Sequence, residues 1–338
     1  MILCQCPAVY FLRTESAMLA ANAEQNVLSQ TDFEAIRDFV HRKSGLWFPD
    51  NKKYLVENRL RKRMDELGLV NCRDYLYRIK YDTEMQEFNT FMDLITINET
   101  SFFRNNPQLT TFRDTVLPKI IERIGENGFK KLKIWSAGCS TGEEPYTLGI
   151  ILHECLPNIQ DWKIEIIAND ISQSALQTAR KGVYQRNSLR NTDQKFLLKY
   201  FELEDDLFRI KDDIRRLVNF KHLNLNDPAQ VATVTDCDVI FCRNVMIYFS
   251  TEAKKNLVRQ FYKSLKPEGY LFIGHSETLH GISRAFELEY LKNALIYRKT
   301  TADTPGGEQA RPSIRTSHEK TMDTLAKIKE LLANHTNK

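Results

Sequence analysis

The 338-residue sequence has no uninterrupted apolar run of the ~18 residues that a membrane-spanning helix requires, so no membrane insertion is expected. Cysteines with paired spacing are missing too. The seven present are odd in number and scattered, which fits reduced thiols and a cytoplasmic location rather than a disulfide framework. There is no His pair or metal-ligand cluster, so no metal is expected. The phosphate-binding pattern GxxxxGK[ST] does not occur, and neither does GxGxxG, which excludes a P-loop and the usual dinucleotide fingerprint. No internal repeat is visible. Charge of neither sign dominates: a net +4 permits an acidic partner but does not point to general nucleic-acid binding. With 42% hydrophobic and 27% charged residues, the composition is that of about two globular domains plus tails. Ile2–Leu12 is apolar but has no basic residue ahead of it and no small-residue cleavage site, which makes a poor signal peptide. Residues 1–28 are therefore expected to be a disordered leader or translation from an upstream start, with Met18 an alternative beginning.

The most informative stretch is Lys131–Gly149, KLKIWSAGCSTGEEPYTLG. It reads as a buried strand (Leu132, Ile134, Trp135), a turn of small residues from Ser136 to Gly142, and a helix from about Glu143. Glycine at positions 138 and 142 lets a ligand approach the backbone where a Cβ would block it. A phosphate site would leave the unpaired N–H groups of the helix start free for the anion. Here Glu143 and Glu144 occupy that end, which suits a ligand carrying positive charge. Alone, the turn is a weak sign of a nucleoside site; its neighbours strengthen it.

From Lys131 onward strands and helices alternate, as in a parallel α/β sheet. A strand from Trp162 to Ala168 ends in Asn169-Asp170. The Asp170 carboxylate there either accepts both hydroxyls of a ribose or caps the helix Ser172–Lys181. Arg190–Glu202 is expected to be helical, and Leu207–Asn219 to form a hairpin turning at Lys211-Asp-Asp213. Val218–Leu225 returns to the sheet and ends in Asn224-Leu225. The apolar strand Val239–Cys242 runs straight into Arg243-Asn244 and Tyr248. A helix over Thr251–Leu265, a strand over Tyr270–Gly274 and a closing hairpin (Phe286–Leu291, Ala294–Arg298) complete the order. Beyond Lys299 the Pro305, Gly306, Gly307 and Pro312 cluster marks a linker. A last helix over His318–Asn334 carries Met322, Leu325, Ile328 and Leu332 on one stripe.

Ahead of the sheet, Thr31–Glu34 reads as a capping box opening a helix with Phe33, Ile36, Phe39 and Val40 inward and Gly45 at its end. A second helix ends at Gly68, with Tyr54, Leu55, Leu60, Met64 and Leu67 able to face a core. Its outer surface carries Lys52, Lys53, Arg59, Lys62 and Arg63, either a solvated face or a docking face for an acidic partner. Helices at Asp74–Lys80 and Thr83–Ile97 follow. In Asn98–Arg104 (NETSFFR), Phe102 and Phe103 anchor the segment, while Asn98, Thr100 and Arg104 present polar groups or cap a helix junction. Pro107–Gly125 is one more helix.

Taken together, NETSFFR, WSAGCSTGEEPY, Asn169-Asp170, Asn224-Leu225 and FCRNVMIYF resemble, in the right order over roughly Thr31–Arg298, the CheR-type chemoreceptor glutamate O-methyltransferases of bacterial chemotaxis. The resemblance implies an α/β class I S-adenosylmethionine-dependent methyltransferase domain, a Rossmann-like sheet with a closing antiparallel hairpin and an inserted small β-subdomain, preceded by an all-helical domain. The domain limits expected are 1–28 for the leader, 29–98 for a receptor-docking helical domain and 99–130 for a connecting segment. The methyltransferase domain then covers 131–299, with the β-subdomain at about 200–220, and 300–338 is linker and helix. S-adenosylmethionine is the implied cofactor, S-adenosylhomocysteine its product, with no metal. Cofactor contacts are implied at Asn98, Thr100, Arg104, Glu144 (in preference to Glu143), Asp170, Asn224, Leu225, Arg243 and Asn244, joined by Gly138 of the turn. Arg104 and Tyr248 are the candidates for holding the substrate carboxylate, and His275 and His280 are read as packing or surface residues. Arg59, Lys62 and Arg63 are expected to dock the receptor's helical methylation region. Some family members also bind a receptor-tail pentapeptide at a glycine-containing loop of the β-subdomain. Here Tyr200–Ile210 is short and glycine-free, which argues against tethering. A monomer is expected.

The implied chemistry suits these residues. An ionised glutamate is a competent nucleophile at pH 7, so the protein has to supply position, an oxygen ~3 Å from the methyl carbon, rather than a base. A nucleic-acid methyltransferase is the competing enzyme class. Amino-methylating members need an Asn/Asp-Pro-Pro-aromatic loop where this chain has Arg243-Asn244-Val245-Met246, which argues against that class. A non-catalytic adaptor that senses S-adenosylmethionine is the competing non-enzyme, and the presence of both Arg104 and Tyr248 argues for turnover.

Overall fold

The computed structural model describes residues 28–125, 130–291 and 294–300. The expected leader and the expected helix at His318–Asn334 lie outside the described residues. Among the described residues no helix is long and apolar enough to cross a membrane.

The N-terminal part is a bundle of α1 (Gln30–Ser44), α2 (Lys53–Glu66), α3 (Cys72–Lys80) and α4 (Gln86–Ile95). The cap of α1 is Ser29 rather than Thr31. Its hydroxyl accepts from the Asp32 N–H at 3.0 Å and donates to the Asp32 carboxylate at 2.6 Å, so the cap sits two residues earlier than the sequence suggests. Gly45, at φ 75°, ends α1 as expected. In α2 the inward row is Val56, Leu60 and Met64, spaced by four, whereas Tyr54 is 58% exposed and faces out. These residues meet Phe33, Phe39, Tyr75, Phe88, Phe91 and Met92 in a cluster that continues onto one face of the sheet through Trp135, Ile240 and Leu271. The bundle and the sheet thus share one apolar core.

After a continuous helical stretch from Asn106 to Gly125, interrupted by a π turn at Phe112–Val116, the sheet begins. It is built from β1 (Lys131–Ala137), β2 (Lys163–Asp170), β6 (Val218–His222), β7 (Cys237–Cys242), β8 (Leu265–Ile273), β9 (Phe286–Leu291) and β10 (Ala294–Lys299) in the order β6-β2-β1-β7-β8-β10-β9. The first five in that order are parallel, and β10 pairs antiparallel with both neighbours. This is the expected Rossmann-like sheet with its closing hairpin. α5 (Glu143–Cys155), α6 (Gln173–Lys181) and α7 (Thr251–Ser264) cover its faces. β8 starts at Leu265 rather than Tyr270, through an irregular register in which Cys237 pairs with Leu265 and Val239 with Tyr270.

The inserted subdomain differs from the expected hairpin. Its three-stranded sheet is β3 (Val183–Tyr184), β4 (Phe201–Glu204) and β5 (Leu207–Ile210), in the order β3-β5-β4. The turn is Asp205-Asp206, both at positive φ (45° and 65°), as a two-residue hairpin turn demands and as aspartate tolerates. The second acidic pair, Asp212-Asp213, instead opens a helical turn over Asp212–Arg215. The helix expected over Arg190–Glu202 is confined to Gln194–Tyr200, because Phe201 and Glu202 pair with Ile210 and Arg209. Phe102 is buried edge-on against Tyr184 and Phe201, and Phe103 stacks on Phe196. NETSFFR is thereby anchored where both phenylalanines were expected to anchor it.

Candidate active site at the strand ends

The strand order reverses at β1: the chain runs outward through β2 and β6 on one side and through β7 and β8 on the other. Ligands of doubly wound sheets lie across the carboxyl ends of the strands at such a switch point. A cavity of about 320 Å³ opens there. It is lined by Asn98, Thr100, Arg104, Gly138, Glu144, Asp170, Asn224, Leu225, Arg243, Asn244 and Tyr248. Every cofactor and catalytic position expected from the sequence therefore reaches one cavity. Lys62 and Arg63 do not line it.

The turn after β1 is held from β2. The N–H groups of Gly138 and Cys139 donate to the Asn169 carbonyl at 2.9 and 2.8 Å, and the Ser140 N–H donates to Asp170 Oδ2 at 2.8 Å. Asn169 itself is fully buried. Its amide accepts from Trp135 Nε1 at 2.7 Å and donates to the Leu223 carbonyl at 3.1 Å, which ties β1, β2 and the loop after β6 together. Asp170 does not cap α6, since Ser172 does, its hydroxyl accepting from the Ala175 N–H. Asp170 Oδ1 takes the Ser172 N–H at 2.9 Å, so each carboxylate oxygen has one backbone donor and further acceptor capacity. Burial pushes this carboxyl above its usual range, and the N–H groups of Ser172 and Ser140 pull it back.

The two glycines of the turn serve the protein's own packing more than a ligand's approach. Gly138 and Gly142 have φ of 79° and 94°, and a Cβ at Gly138 would sit 2.4 Å from Val245 Cγ2. At Gly142 it would meet Ala179 Cβ at 2.8 Å.

Of the two acids at the start of α5, Glu144 lines the cavity and Glu143 does not. Glu143 is buried against the Thr141 hydroxyl, and burial raises its carboxyl above the usual value. Glu144 Oε1 accepts from the Ser136 hydroxyl at 2.7 Å, and Oε2 lies 3.3 Å from Arg243 Nη1. Arg243 Nη2 donates to the Arg104 carbonyl at 2.6 Å. Arg243 Nε is buried and has no hydrogen-bond partner. Burial lowers the Arg243 pKa, and Glu144 opposes that shift. Arg104 Nη1 donates to the Glu99 carbonyl at 2.9 Å. Burial raises the Tyr248 phenol.

Several expected contacts have different local duties. The Asn224 amide donates to the Lys43 carbonyl at the end of α1 (2.7 Å) and accepts from the Asn226 N–H, so Asn224 meets the cavity with its side chain already engaged. Asn98 accepts the Ser140 hydroxyl, at its carbonyl and its amide oxygen. Asn244 adopts φ 61° and donates its N–H to Glu277. The three expected docking residues are split: Arg59 lines the cavity and donates to the Ile95 carbonyl, Lys62 is exposed, and Arg63 forms a bidentate pair with Glu87. Sequence reasoning gave Asn169 and Ser140 no role of their own and missed Glu277. It also missed the wall that Trp47, Phe48 and Lys52 of the helical part contribute to the cavity. Asn169 had a signal, a polar residue ending a strand beside one that carries a buried tryptophan.

S-adenosylmethionine fits this donor set: an acceptor carboxylate at the end of β2 for a ribose, Glu144 for an ammonium, and an arginine whose buried Nε has no protein acceptor. Among the described residues no group of three or more His, Cys, Asp or Glu side chains could hold a metal.

The comparisons with known proteins agree. Residues 98–295 match the family described as "CheR methyltransferase, SAM binding domain", and residues 31–96 match "CheR methyltransferase, all-alpha domain". The chain is similar to chemotaxis protein methyltransferase 2 of Vibrio cholerae, 38% identical over 275 residues that cover 81% of this chain and 94% of that protein. The chemotaxis protein methyltransferase of Borreliella burgdorferi is 36% identical, covering 80% and 95%. That of Escherichia coli is 33% identical, covering 81% and 93%. With two adjoining family matches, relatives aligned over nearly their whole length and a cavity built from the expected residues, the chain belongs to the CheR methyltransferases, the S-adenosylmethionine-dependent glutamate O-methyltransferases of chemotaxis.

Proposed function

We propose that the chain methylates glutamate side chains in the cytoplasmic helical methylation region of chemoreceptors, with the roles of individual residues as follows. The observation that carries this reading is the convergence of Asp170, Glu144, Arg243, Arg104 and Tyr248 on one cavity at the strand ends. S-adenosylmethionine, when bound, supplies a methyl group on a positively charged sulfur. Asp170 accepts the ribose hydroxyls. Glu144, held by Ser136 and Arg243, takes the ammonium, and the guanidinium of Arg243 offers Nε to the carboxylate of the amino-acid end. Arg104 and Tyr248 orient the incoming glutamate. Because burial raises the Tyr248 phenol, it stays protonated at neutral pH and acts as a hydrogen-bond donor, not a base. The attacking carboxylate is already ionised, so its oxygen forms the new O–C bond as the S–C bond breaks, and no proton moves.

Docking narrows to the exposed charges Arg61 and Lys62 on α2 and Lys52 just ahead of it, since Arg63 is held by Glu87. Tail tethering is not part of the reading: the β4–β5 turn is two residues, Asp205-Asp206, with no glycine loop. A pull-down showing micromolar pentapeptide binding would reverse that. The test of the whole is transfer of a labelled methyl group to receptor membranes, with the label released by mild base as a carboxyl ester would be. Arg104→Ala is expected to abolish labelling in folded protein, and near-normal rates would remove Arg104 from the mechanism.

A further inference from the structure

The Glu277 carboxylate lies outside the cavity yet grips its rim. Oε2 accepts from the Gly274 N–H at 2.5 Å and the Asn244 N–H at 3.1 Å, and Oε1 accepts from the Ile247 N–H at 3.0 Å. One side chain therefore ties the turn after β8 to both ends of the loop after β7, which carries Arg243, Asn244 and Tyr248. Asn244 is in the left-handed region at φ 61°, which asparagine tolerates, so the chain turns sharply at the point where Glu277 takes its N–H. The fit is close: a Cβ on Gly274 would lie 2.7 Å from Glu277 Oε2 and 2.9 Å from the Asn244 nitrogen. The Tyr248 and Phe249 N–H groups go instead to the Val245 and Met246 carbonyls within the loop.

We propose that Glu277 is a positioning residue that sets the loop after β7, and with it Tyr248, against the acceptor carboxylate. The inference rests on the reading of Tyr248 given above. The nucleoside end of the site is held by Asp170 and the loop after β6, and the Arg243 guanidinium is held by Glu144 and the Arg104 carbonyl, so the clamp governs transfer more than cofactor affinity.

The experiment compares Glu277→Gln and Glu277→Ala with the parent full-length chain in three readouts. Gln keeps the shape and one acceptor oxygen but turns an NH₂ toward an N–H donor, so the expected order of damage is Ala beyond Gln. Hydrogen exchange of the Asn244 and Ile247 amides should accelerate at least tenfold in Glu277→Ala, while the Gly138–Ser140 amides are unchanged. The kcat for methyl transfer should fall at least tenfold, while the Kd for S-adenosylhomocysteine by calorimetry moves less than threefold. Gly274→Ala, which pushes the carboxylate away, should reproduce the pattern. Unchanged amide exchange overturns the clamp without any substrate being needed, so its failure is separable from failure of the functional reading. Equal losses in kcat and S-adenosylhomocysteine affinity also overturn it, since they would show general damage.

Discussion

The ion pair between Arg63 and Glu87 gives the sharpest quantitative test, because it reassigns a charge that the sequence places on a docking face. Arg63 donates from Nε and Nη2 to the two oxygens of Glu87 at 2.9 and 2.8 Å, and the buried Tyr75 hydroxyl donates to the same carboxylate at 2.9 Å. The Glu87 side chain is only 7% exposed, so Arg63→Ala would leave a carboxylate nearly out of water with one neutral donor and the long ion pair to Arg78 at 3.9 Å. Removing one partner of a buried pair costs about 3–5 kcal/mol, most of it the desolvation of the survivor. Arg63 sits at the rim, 19% exposed, which favours the lower end, about 3 kcal/mol. For a unit the size of the helical part this is a fall in Tm of roughly 20 °C, or about 5 °C if the whole chain unfolds together. Urea titration followed by circular dichroism measures it directly. Adding Glu87→Gln to Arg63→Ala should recover most of the loss by removing the orphaned charge, while Lys62→Ala should stay within about 0.5 kcal/mol of the parent. Arg63→Ala with parental stability but impaired receptor methylation would refute the reasoning and return Arg63 to the docking face.

Three further outcomes follow from the site. Asp170→Ala should weaken S-adenosylhomocysteine binding at least tenfold by calorimetry, since hydrogen bonds to a charged acceptor are worth about 1.5–3 kcal/mol each; unchanged affinity would remove Asp170 from the ribose. Gly138→Ala should destabilise by about 2 kcal/mol or more, adding left-handed strain to a 2.4 Å contact with Val245. Pairing it with Val245→Ala should relieve the contact but not the strain, visible as a partial recovery of the thermal midpoint. Glu143 is buried with its carboxyl raised above the usual 4.5 chiefly by desolvation. Its folded pKa exceeds its unfolded one, so its contribution to stability is complete below about 4.5 and is lost as pH rises through the folded value. Glu143→Gln should therefore gain on the parent between pH 5 and 8 in denaturation midpoints, and the opposite trend would show that the ionised form is the one the fold prefers.

What could be read from the sequence was whatever depends on local pattern. The strand–turn–helix at Lys131–Gly149, the Asn169-Asp170 strand end and the Arg243-Asn244 strand end are short apolar runs meeting polar residues, and they converge as read. The hairpin of the β-subdomain turns earlier than its charge pattern suggests because two acidic pairs compete for one turn, and only the pairing of Phe201 with Ile210 decides for Asp205-Asp206. Charge patterning on α2 could not separate Arg63 from Lys62. That distinction lies in Glu87, 24 residues away, and no periodicity reports it. Asn224 shows the same limit: its position at a strand end is local, but the engagement of its amide with Lys43 spans 181 residues.

That long-range bond has a consequence for anyone dividing or recombining these enzymes. The end of α1 is held by Asn224 and Asn226 from the loop after β6, and the Trp47 N–H donates to the Tyr248 carbonyl. A fragment beginning at residue 98 would retain all the strand ends yet strip a wall from the cavity and unmoor two of its loops. Chimeras that exchange α2 between members of the family should therefore leave everything up to Pro49 with the recipient, so that the seam between the end of α1 and the loop after β6 stays as the recipient sheet already holds it.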